Sequence, residues 1–274
     1  MSISFQDKVI VITGGSSGIG EALVRNFLSA GALVATCGRH QDKLDSLQKR
    51  IPGVNLYTKV ADVSKEQDCK DLIESVVHKF GRIDVLINNA GMSMRALFDQ
   101  LEDLSVIKKL MDINFWGCVY CTRYAIPELK KSLGTVVGVS SIAGYRGLPG
   151  RAGYSASKFA MQGFLEVLRT ENLYTGVHVM WVCPGFTASN IRNTALNKEG
   201  KAQAETPLKE NKLMPPDEVA LRIMKSISRK RRTLVMTSQG KLTVFMNKWF
   251  PSLTDKLVYN FFKKEPGSPL KRLK

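Results

Sequence analysis

Lys8-Val-Ile-Val-Ile-Thr-Gly-Gly-Ser-Ser-Gly-Ile-Gly20 runs from an unbroken apolar stretch into a cluster of glycines. A short continuous run of this kind suits a parallel strand buried on both faces. Glu21-Ala-Leu-Val-Arg-Asn-Phe-Leu28 follows at once, with Ala22, Leu23, Phe27 and Leu28 at helical spacing. Strand, glycine turn and helix in that order make a phosphate cradle, because the helix N-terminus offers free N–H groups and the positive end of its dipole. Gly14 permits the tight turn, Gly18 lets the backbone come close to a pyrophosphate, and Gly20 lets the helix close on the strand. Ser16, Ser17 and Ile19 complete the cradle.

The next strand, Leu33-Val-Ala-Thr-Cys37, leads into Gly38-Arg39-His40. An acidic residue about 20 positions past the first glycine would hydrogen-bond the ribose 2′-hydroxyl of NAD. None occurs before Asp42. A guanidinium instead clamps a 2′-phosphate with a planar, charge-assisted fork. Arg39, with a second hydrogen bond from Ser16, therefore points to NADP(H).

Downstream, Gly134-Thr-Val-Val-Gly-Val-Ser-Ser141 reads as a strand ending in two serines, and Tyr154-Ser-Ala-Ser-Lys158 opens a helix that continues through Phe159, Met161, Phe164, Leu165 and Leu168. Positions i and i+4 share a helix face, so Tyr154 and Lys158 point the same way. A free phenol titrates near pH 10, and a neighbouring ammonium favours the phenolate. The expectation is that Lys158 lowers the Tyr154 pKa, that Tyr154 carries a proton to or from a substrate oxygen, and that Ser141 hydrogen-bonds that oxygen where charge develops. Strand alternation points Ser140 elsewhere.

The spacing T-G-x-x-x-G-x-G from Thr13, Asn88-Asn89-Ala90-Gly91, Ser141, Tyr154-x-x-x-Lys158 and Pro184-Gly185 together resemble the short-chain dehydrogenase/reductase family, in its hydroxysteroid dehydrogenase and 3-ketoacyl reductase-like branch. The similarity runs over about residues 6 to 190. It implies an α/β fold, a Rossmann-type doubly wound parallel sheet in a single domain, here with a C-terminal helical extension. It further implies that Asp62 and Val63 border the adenine, that Asn89, Ala90 and Gly91 line the adenosine ribose while Asn88 braces the sheet, and that Pro184, Gly185 and Thr187 lie beside the nicotinamide. Lys158 would hold the nicotinamide ribose, and Asn114, in a mid-helix kink, would relay protons through water to Lys158. The family implies a homo-oligomer, a dimer or tetramer, with the helices at 114–130 and 155–172 as candidate interfaces.

A chain of 274 residues suffices for one large doubly wound domain. The reading divides it into a catalytic domain at 1–240, with a substrate lid at about 186–216 whose stretch 197–212 looks mobile, and an extension at 241–274. The five cysteines are scattered. Cys118-x-x-Cys121 has no second pair or nearby histidine and reads as packing rather than zinc or redox chemistry, so no metal is expected. No secretory signal or spanning apolar run is evident, and the expected location is the cytoplasm or its membrane face.

The chain carries a formal net charge of +16, and residues 225–274 alone hold 13 Lys and Arg against 2 Asp and Glu. Within that tail Leu242, Phe245, Met246, Trp249 and Phe250 fall at i, i+3, i+4, i+7 and i+8, opposed by Lys241, Asn247 and Lys248. Pro251 breaks this helix, a second short one carries Leu253, Leu257, Phe261 and Phe262, and the last residues read as disordered. Two readings stay open. The helices close the substrate pocket or pack on a second subunit, or they make a peripheral membrane contact, apolar side chains dipping into the interface while lysines meet anionic lipid. No recognition motif accompanies the basic patch, so nucleic acid is not an expected partner.

The activity expected from these residues is NADPH-dependent carbonyl reduction, or the reverse alcohol oxidation, on a lipophilic small molecule such as a steroid, a long-chain 3-ketoacyl group or a sphingoid ketone. Phe98, Tyr145, Leu148 and Met214 are candidate pocket lining. The alternative is a non-catalytic NADP-binding module at a membrane surface or in a complex.

Overall fold

A computed structural model describes residues 4–188, 191–203 and 213–272. Seven strands form one parallel sheet in the order β3-β2-β1-β4-β5-β6-β7. They are β1 (Val9–Thr13), β2 (Leu33–Gly38), β3 (Leu56–Val60), β4 (Val85–Asn88), β5 (Thr135–Val139), β6 (His178–Cys183) and β7 (Thr233–Val235). The strand order reverses between β1 and β4, and a crevice therefore opens outside their carboxyl ends.

The unbroken apolar character of the strands has a direct cause: helices cover both faces. Val9 and Val11 of β1 join one core with α3 (Glu66–Phe80), α5 (Gly117–Ser132) and α6 (Ala152–Glu171). Ile10 and Ile12 join the other, with α1 (Gly18–Ser29), α2 (Gln41–Arg50) and α7 (Pro216–Ser228). Side chains alternate across a strand, and here both sets are needed inside. Each such Val, Leu or Ile contributes about 2 kcal/mol by leaving water. Cys118 and Cys121 are buried in the first core as free thiols, as a packing role requires. The short helix α4 (Ser105–Met111) runs into a π-helical stretch, Asp112–Trp116, before α5 begins. This is the kink expected at Asn114.

The C-terminal extension forms α8 (Ser238–Trp249) and α9 (Pro251–Lys263). Pro251 begins the second helix, a position where its missing N–H costs nothing. α8 docks through buried Gly240 and through Asn247, which donates to the Tyr145 carbonyl at 3.0 Å. Its apolar face is turned away: Leu242, Phe245, Trp249 and Phe250 are exposed. On α9, Val258 and Phe262 are buried, whereas Leu253, Leu257 and Phe261 are exposed. The expectation of disorder past α9 is corrected as far as residue 272. Glu265, Ser268 and Leu270 are buried, and Pro269–Arg272 form a 3-10 turn. Leu270 packs with Leu97, Val258 and Phe262 in a small core of its own. Of the expected mobile stretch, residues 204–212 lie outside the described residues. Asn197 organises its start, accepting from the backbone N–H groups of Glu199 and Lys201.

Candidate active site

A cleft of about 630 Å³ runs along the carboxyl edge of the sheet. Its floor at one end is the glycine turn. Gly14 adopts φ +70° against Ala90, where a Cβ would come within 3.0 Å of the Ala90 Cα. At Gly20 a Cβ would stand 2.2 Å from the Gly14 carbonyl oxygen, so no larger residue lets α1 begin there. Thr36 holds the turn from β2, accepting from the Gly15 N–H and donating to the Ile12 carbonyl. Ser16, Ser17, Gly18 and Ile19 line the cleft, and the Ser17 hydroxyl makes no cap bond to α1.

Arg39 also lines this end. Ser16 stands beside it, its hydroxyl 3.3 Å from where a Cβ on Gly38 would be. His40 and Lys43 lie on the same wall, two basic groups that the reading of the sequence did not select. Lys43 sits one turn into α2, and only the placement of that helix reveals it. Asp42 is not part of the wall.

Asp62 and Val63 line the cleft, and the Asp62 carboxylate is occupied by the Ser64 N–H and hydroxyl at 3.0 and 2.8 Å. Asn89, Ala90 and Gly91 line it too. The Asn89 side-chain amide donates to the Thr13 and Gly14 carbonyls, and the Asn89 and Ala90 N–H groups share the Thr13 hydroxyl. Asn88 donates to Thr122 on α5 at 3.0 Å, the bracing expected of it.

At the far end the cleft is walled by Ser141, Tyr154, Lys158, Pro184, Gly185 and Thr187. Ser141 follows β5 and accepts from the Ala143 N–H at 3.1 Å. Ser140 is held differently, by Gln162 at 2.8 Å. Tyr154 is partly exposed, towards the cleft. Burial pushes its phenol above the usual tyrosine range, while a hydrogen bond from Ser141 and the Arg151 guanidinium pull it down. This corrects the expected role of Lys158. Its Nζ lies 5.8 Å from the Tyr154 ring centroid and donates to the Val139 carbonyl at 2.8 Å. Burial draws the Lys158 ammonium down to about 8, which still leaves it charged at neutral pH.

Asn114 is fully buried, and its amide is engaged by protein groups. It accepts from Met92 N–H at 2.8 Å and donates to the Met92 carbonyl and the Ser157 hydroxyl, each at 2.9 Å. The π-helical turn thus ties the end of β4 to α6. A Cβ on Gly91 would lie 3.2 Å from Asn114 Oδ1 and 3.6 Å from Lys158 Nζ, so both groups meet at one small residue.

The substrate end holds Leu148, Arg151, Phe186, Ile191, Arg192 and Thr194. Of the four candidate lining residues only Leu148 is among them. Phe98 is 64% exposed outside the cleft. Tyr145 turns its hydroxyl to accept from the Trp181 indole at 2.8 Å and packs on the core. Met214 packs with the second core and bridges Thr187. Arg151 was missed because an arginine at a helix N-cap carries no local sign of facing a ligand. No cluster of His, Cys, Asp and Glu suited to a metal ion occurs among the described residues.

Glycines that a Cβ would close, free helix N–H groups, and basic side chains at one end with a phenol at the other fit a dinucleotide laid along the cleft. A family model described as short chain dehydrogenase matches residues 8–200. The chain is 34% identical over 257 residues to 11-beta-hydroxysteroid dehydrogenase 1A of Arabidopsis thaliana, spanning 90% of this chain and 73% of that protein. The fold matches a short-chain dehydrogenase/reductase from Burkholderia phymatum in complex with NAD, with TM-score 0.80 at 22% identity over 92% of this chain and 96% of that one. It also matches a short chain dehydrogenase from Burkholderia cenocepacia in complex with NADP, with TM-score 0.79 at 20% identity over 93% and 98%. The chain belongs to the short-chain dehydrogenase family, oxidoreductases that act on CH–OH and C=O groups.

Proposed function

We propose that this chain is an NADPH-dependent carbonyl reductase, reversible as an alcohol dehydrogenase, acting on a lipophilic ketone or secondary alcohol. The observation that carries the reading is that Tyr154, Ser141 and buried Lys158 share one cleft with the glycine turn and Arg39. When bound, the nicotinamide supplies or accepts the hydride. Gly14 to Gly20 hold the pyrophosphate by backbone N–H groups, and Arg39 with Ser16 and Lys43 takes the 2′-phosphate. Ser141 donates to the substrate oxygen, where negative charge grows. Tyr154 gives that oxygen its proton in reduction and removes it in oxidation. Lys158, cationic at neutral pH, holds the nicotinamide ribose, and Asn114 relays protons to it through water. Asp62, Val63 and Asn89 to Gly91 border the adenosine. Pro184, Gly185 and Thr187 face the nicotinamide, where the lid expected at about 186–216 begins, residues 189–190 and 204–212 of it lying outside the described residues.

The lipophilic substrate class is supported at the mouth of the cleft. Phe186 lines the cleft and stacks on Phe261 of α9, rings 6.4 Å apart and 10° from parallel. Phe261 belongs to the exposed stripe that continues through Leu257, Leu253, Phe250, Trp249, Phe245 and Leu242. Lys241, Lys248, Lys256, Lys263 and Lys264 flank it. No described helix is long and apolar enough to cross a membrane. On this reading the protein works from the cytoplasm, and the stripe rests peripherally on an anionic lipid surface, dipping only its side chains. Trp116, at the end of the π-helical stretch before α5, and Phe159 and Val167 on α6 are exposed, a surface suited to a second copy of the chain.

The test is NADPH oxidation against a panel of lipophilic ketones, with NADH, Arg39→Asp and Tyr154→Phe in parallel. Turnover that collapses in Tyr154→Phe supports the reading, as does a preference for NADPH over NADH that Arg39→Asp narrows by about 100-fold, the scale of a lost charge-assisted fork. Binding of NADPH with no turnover that depends on Tyr154 would favour a non-catalytic binding module.

A further inference from the structure

Residues 225–274 contain 2 carboxylates, Asp255 and Glu265. Both are spent on a single loop. Asp255 pairs with Arg146, and Glu265 pairs with Arg151, Oε2 to Nη2 3.5 Å. The two arginines bound the segment that leads from Ser141 into α6, where Tyr154 follows in the first turn.

The Glu265 end of this clamp is buried. Its side chain is 5% exposed, against 14% for Arg151 and 13% for Arg95, which approaches the same oxygen at 3.8 Å. Arg95 also donates to the Pro266 carbonyl at 2.5 Å, and the Arg151 guanidinium lies 4.7 Å over the Phe262 ring. Burying a carboxylate is costly, and an apolar residue of similar volume would pack the site more cheaply. Glu265 Oε1 has no hydrogen-bond partner among the described residues; the group is held through Oε2, which accepts from Arg151 Nη2 at 3.5 Å and faces Arg95 Nη2 at 3.8 Å. Arg151 is also ill placed by itself. It stands at the N-cap of α6, where the helix dipole disfavours a cation. Yet this cation lines the cleft.

We infer that Glu265 is a positioning residue of the active site: it holds Arg151 in the cleft wall beside Tyr154, so that the C-terminal extension sets the charge facing that phenol. The inference rests on Tyr154 as the proton carrier of the proposed reaction. The groups acting on Tyr154 are the Ser141 hydroxyl beyond β5, the Arg151 guanidinium at the start of α6 and the Cys183 thiol at the end of β6; Lys158 Nζ, on the next turn of α6, lies 5.8 Å from the ring centroid but donates to the Val139 carbonyl. Burial and Cys183 raise the phenol, while Ser141 and Arg151 lower it. Glu265 is not among them and acts through Arg151.

The experiment reads the ionised fraction of Tyr154 directly, by NMR of 13C-labelled tyrosine rings, with Tyr154→Phe identifying the resonance. It needs neither substrate nor cofactor, so its failure is distinct from a failure of the proposed reaction. At about pH 10.5, Glu265→Gln should lower the phenolate fraction about threefold, because Arg151 leaves the wall. Arg151→Gln should do the same, and the double variant should add nothing, the mark of two residues acting through one contact. An unchanged or increased phenolate fraction in Glu265→Gln overturns the inference, since removal of an acid acting directly on Tyr154 would increase it. If Glu265→Gln fails to fold, Glu265→Asp serves. The pair already stands at 3.5 Å, so a side chain one methylene shorter loses the contact and should shift the fraction in the same direction. No shift there overturns the inference as well.

Discussion

In α6, Met161, Leu165 and Leu168 recur at helical spacing and are all buried against the sheet. In α8, Leu242, Phe245 and Trp249 recur at similar spacing and are 59%, 54% and 61% exposed. The two helices carry the same kind of amphipathic signal. What differs is the surface each one meets. α6 crosses the sheet between β5 and β6, where Gly138 leaves room for Leu165: a Cβ there would come within 2.4 Å of the leucine Cδ1. α8 meets a loop rather than a sheet, and it docks by Gly240 and Asn247, residues outside its apolar stripe. Periodicity establishes that a helix has an apolar face. It does not establish that the protein itself covers that face.

The contrast can be tested variant by variant. On the proposed function the cleft side of α6 serves chemistry while its sheet side packs, so substitutions on the two sides should separate activity from stability. Tyr154→Phe should lower ketone reduction about 1,000-fold and leave the thermal midpoint within a few degrees, read by NADPH oxidation and calorimetry side by side. An active Tyr154→Phe would remove the chemical half of the contrast. Leu165→Ala should cost about 3 kcal/mol in denaturant unfolding, from lost transfer energy and the cavity left behind.

Lys158 should leave a signature in pH. Its folded pKa of about 8 lies below the ordinary lysine value, so between pH 8 and 10.5 the unfolded chain binds more protons than the folded one. Stability contributed by this group therefore rises with pH. Relative to Lys158→Met, the wild-type chain should gain about 1 kcal/mol between about pH 8 and pH 9. A flat difference would mean that Lys158 is better solvated than its burial implies.

The smallest effect on stability is expected in α8. Phe245→Ala with Trp249→Ala should change the unfolding free energy by less than about 0.5 kcal/mol each, as for other exposed positions, while sharply reducing sedimentation with vesicles that contain anionic lipid. A loss comparable to Leu165→Ala would show that the stripe is covered in solution by a second copy of the chain.

The glycine turn and the residues around Tyr154 were legible because each depends on short spacing. Gly14 needs its positive φ and Gly20 its closeness to the Gly14 carbonyl, both within one turn, and Tyr154 and Lys158 share a helix face by periodicity alone. Lys43 and Arg151 were not legible, since each reaches the cleft only through the placement of its helix. Tyr145 and Met214 were misassigned for the converse reason, since each had other partners in space, and Phe98 because its turn faces solvent rather than the cleft. The expected pull of Lys158 on Tyr154 also gave way to geometry, because the ammonium found a carbonyl at Val139.

By itself, the order of apolar runs and glycines determined a parallel sheet with a dinucleotide cradle, because buried strands and tight turns restrict residue type locally. The tertiary structure decided what lies outside those local rules. Glu265 stands 114 residues from Arg151, and no pattern along the chain links a carboxylate in a basic tail to the helix that carries Tyr154. Their meeting depends on how α8 and α9 fold back over the loop, and that is set by packing and burial across the whole molecule.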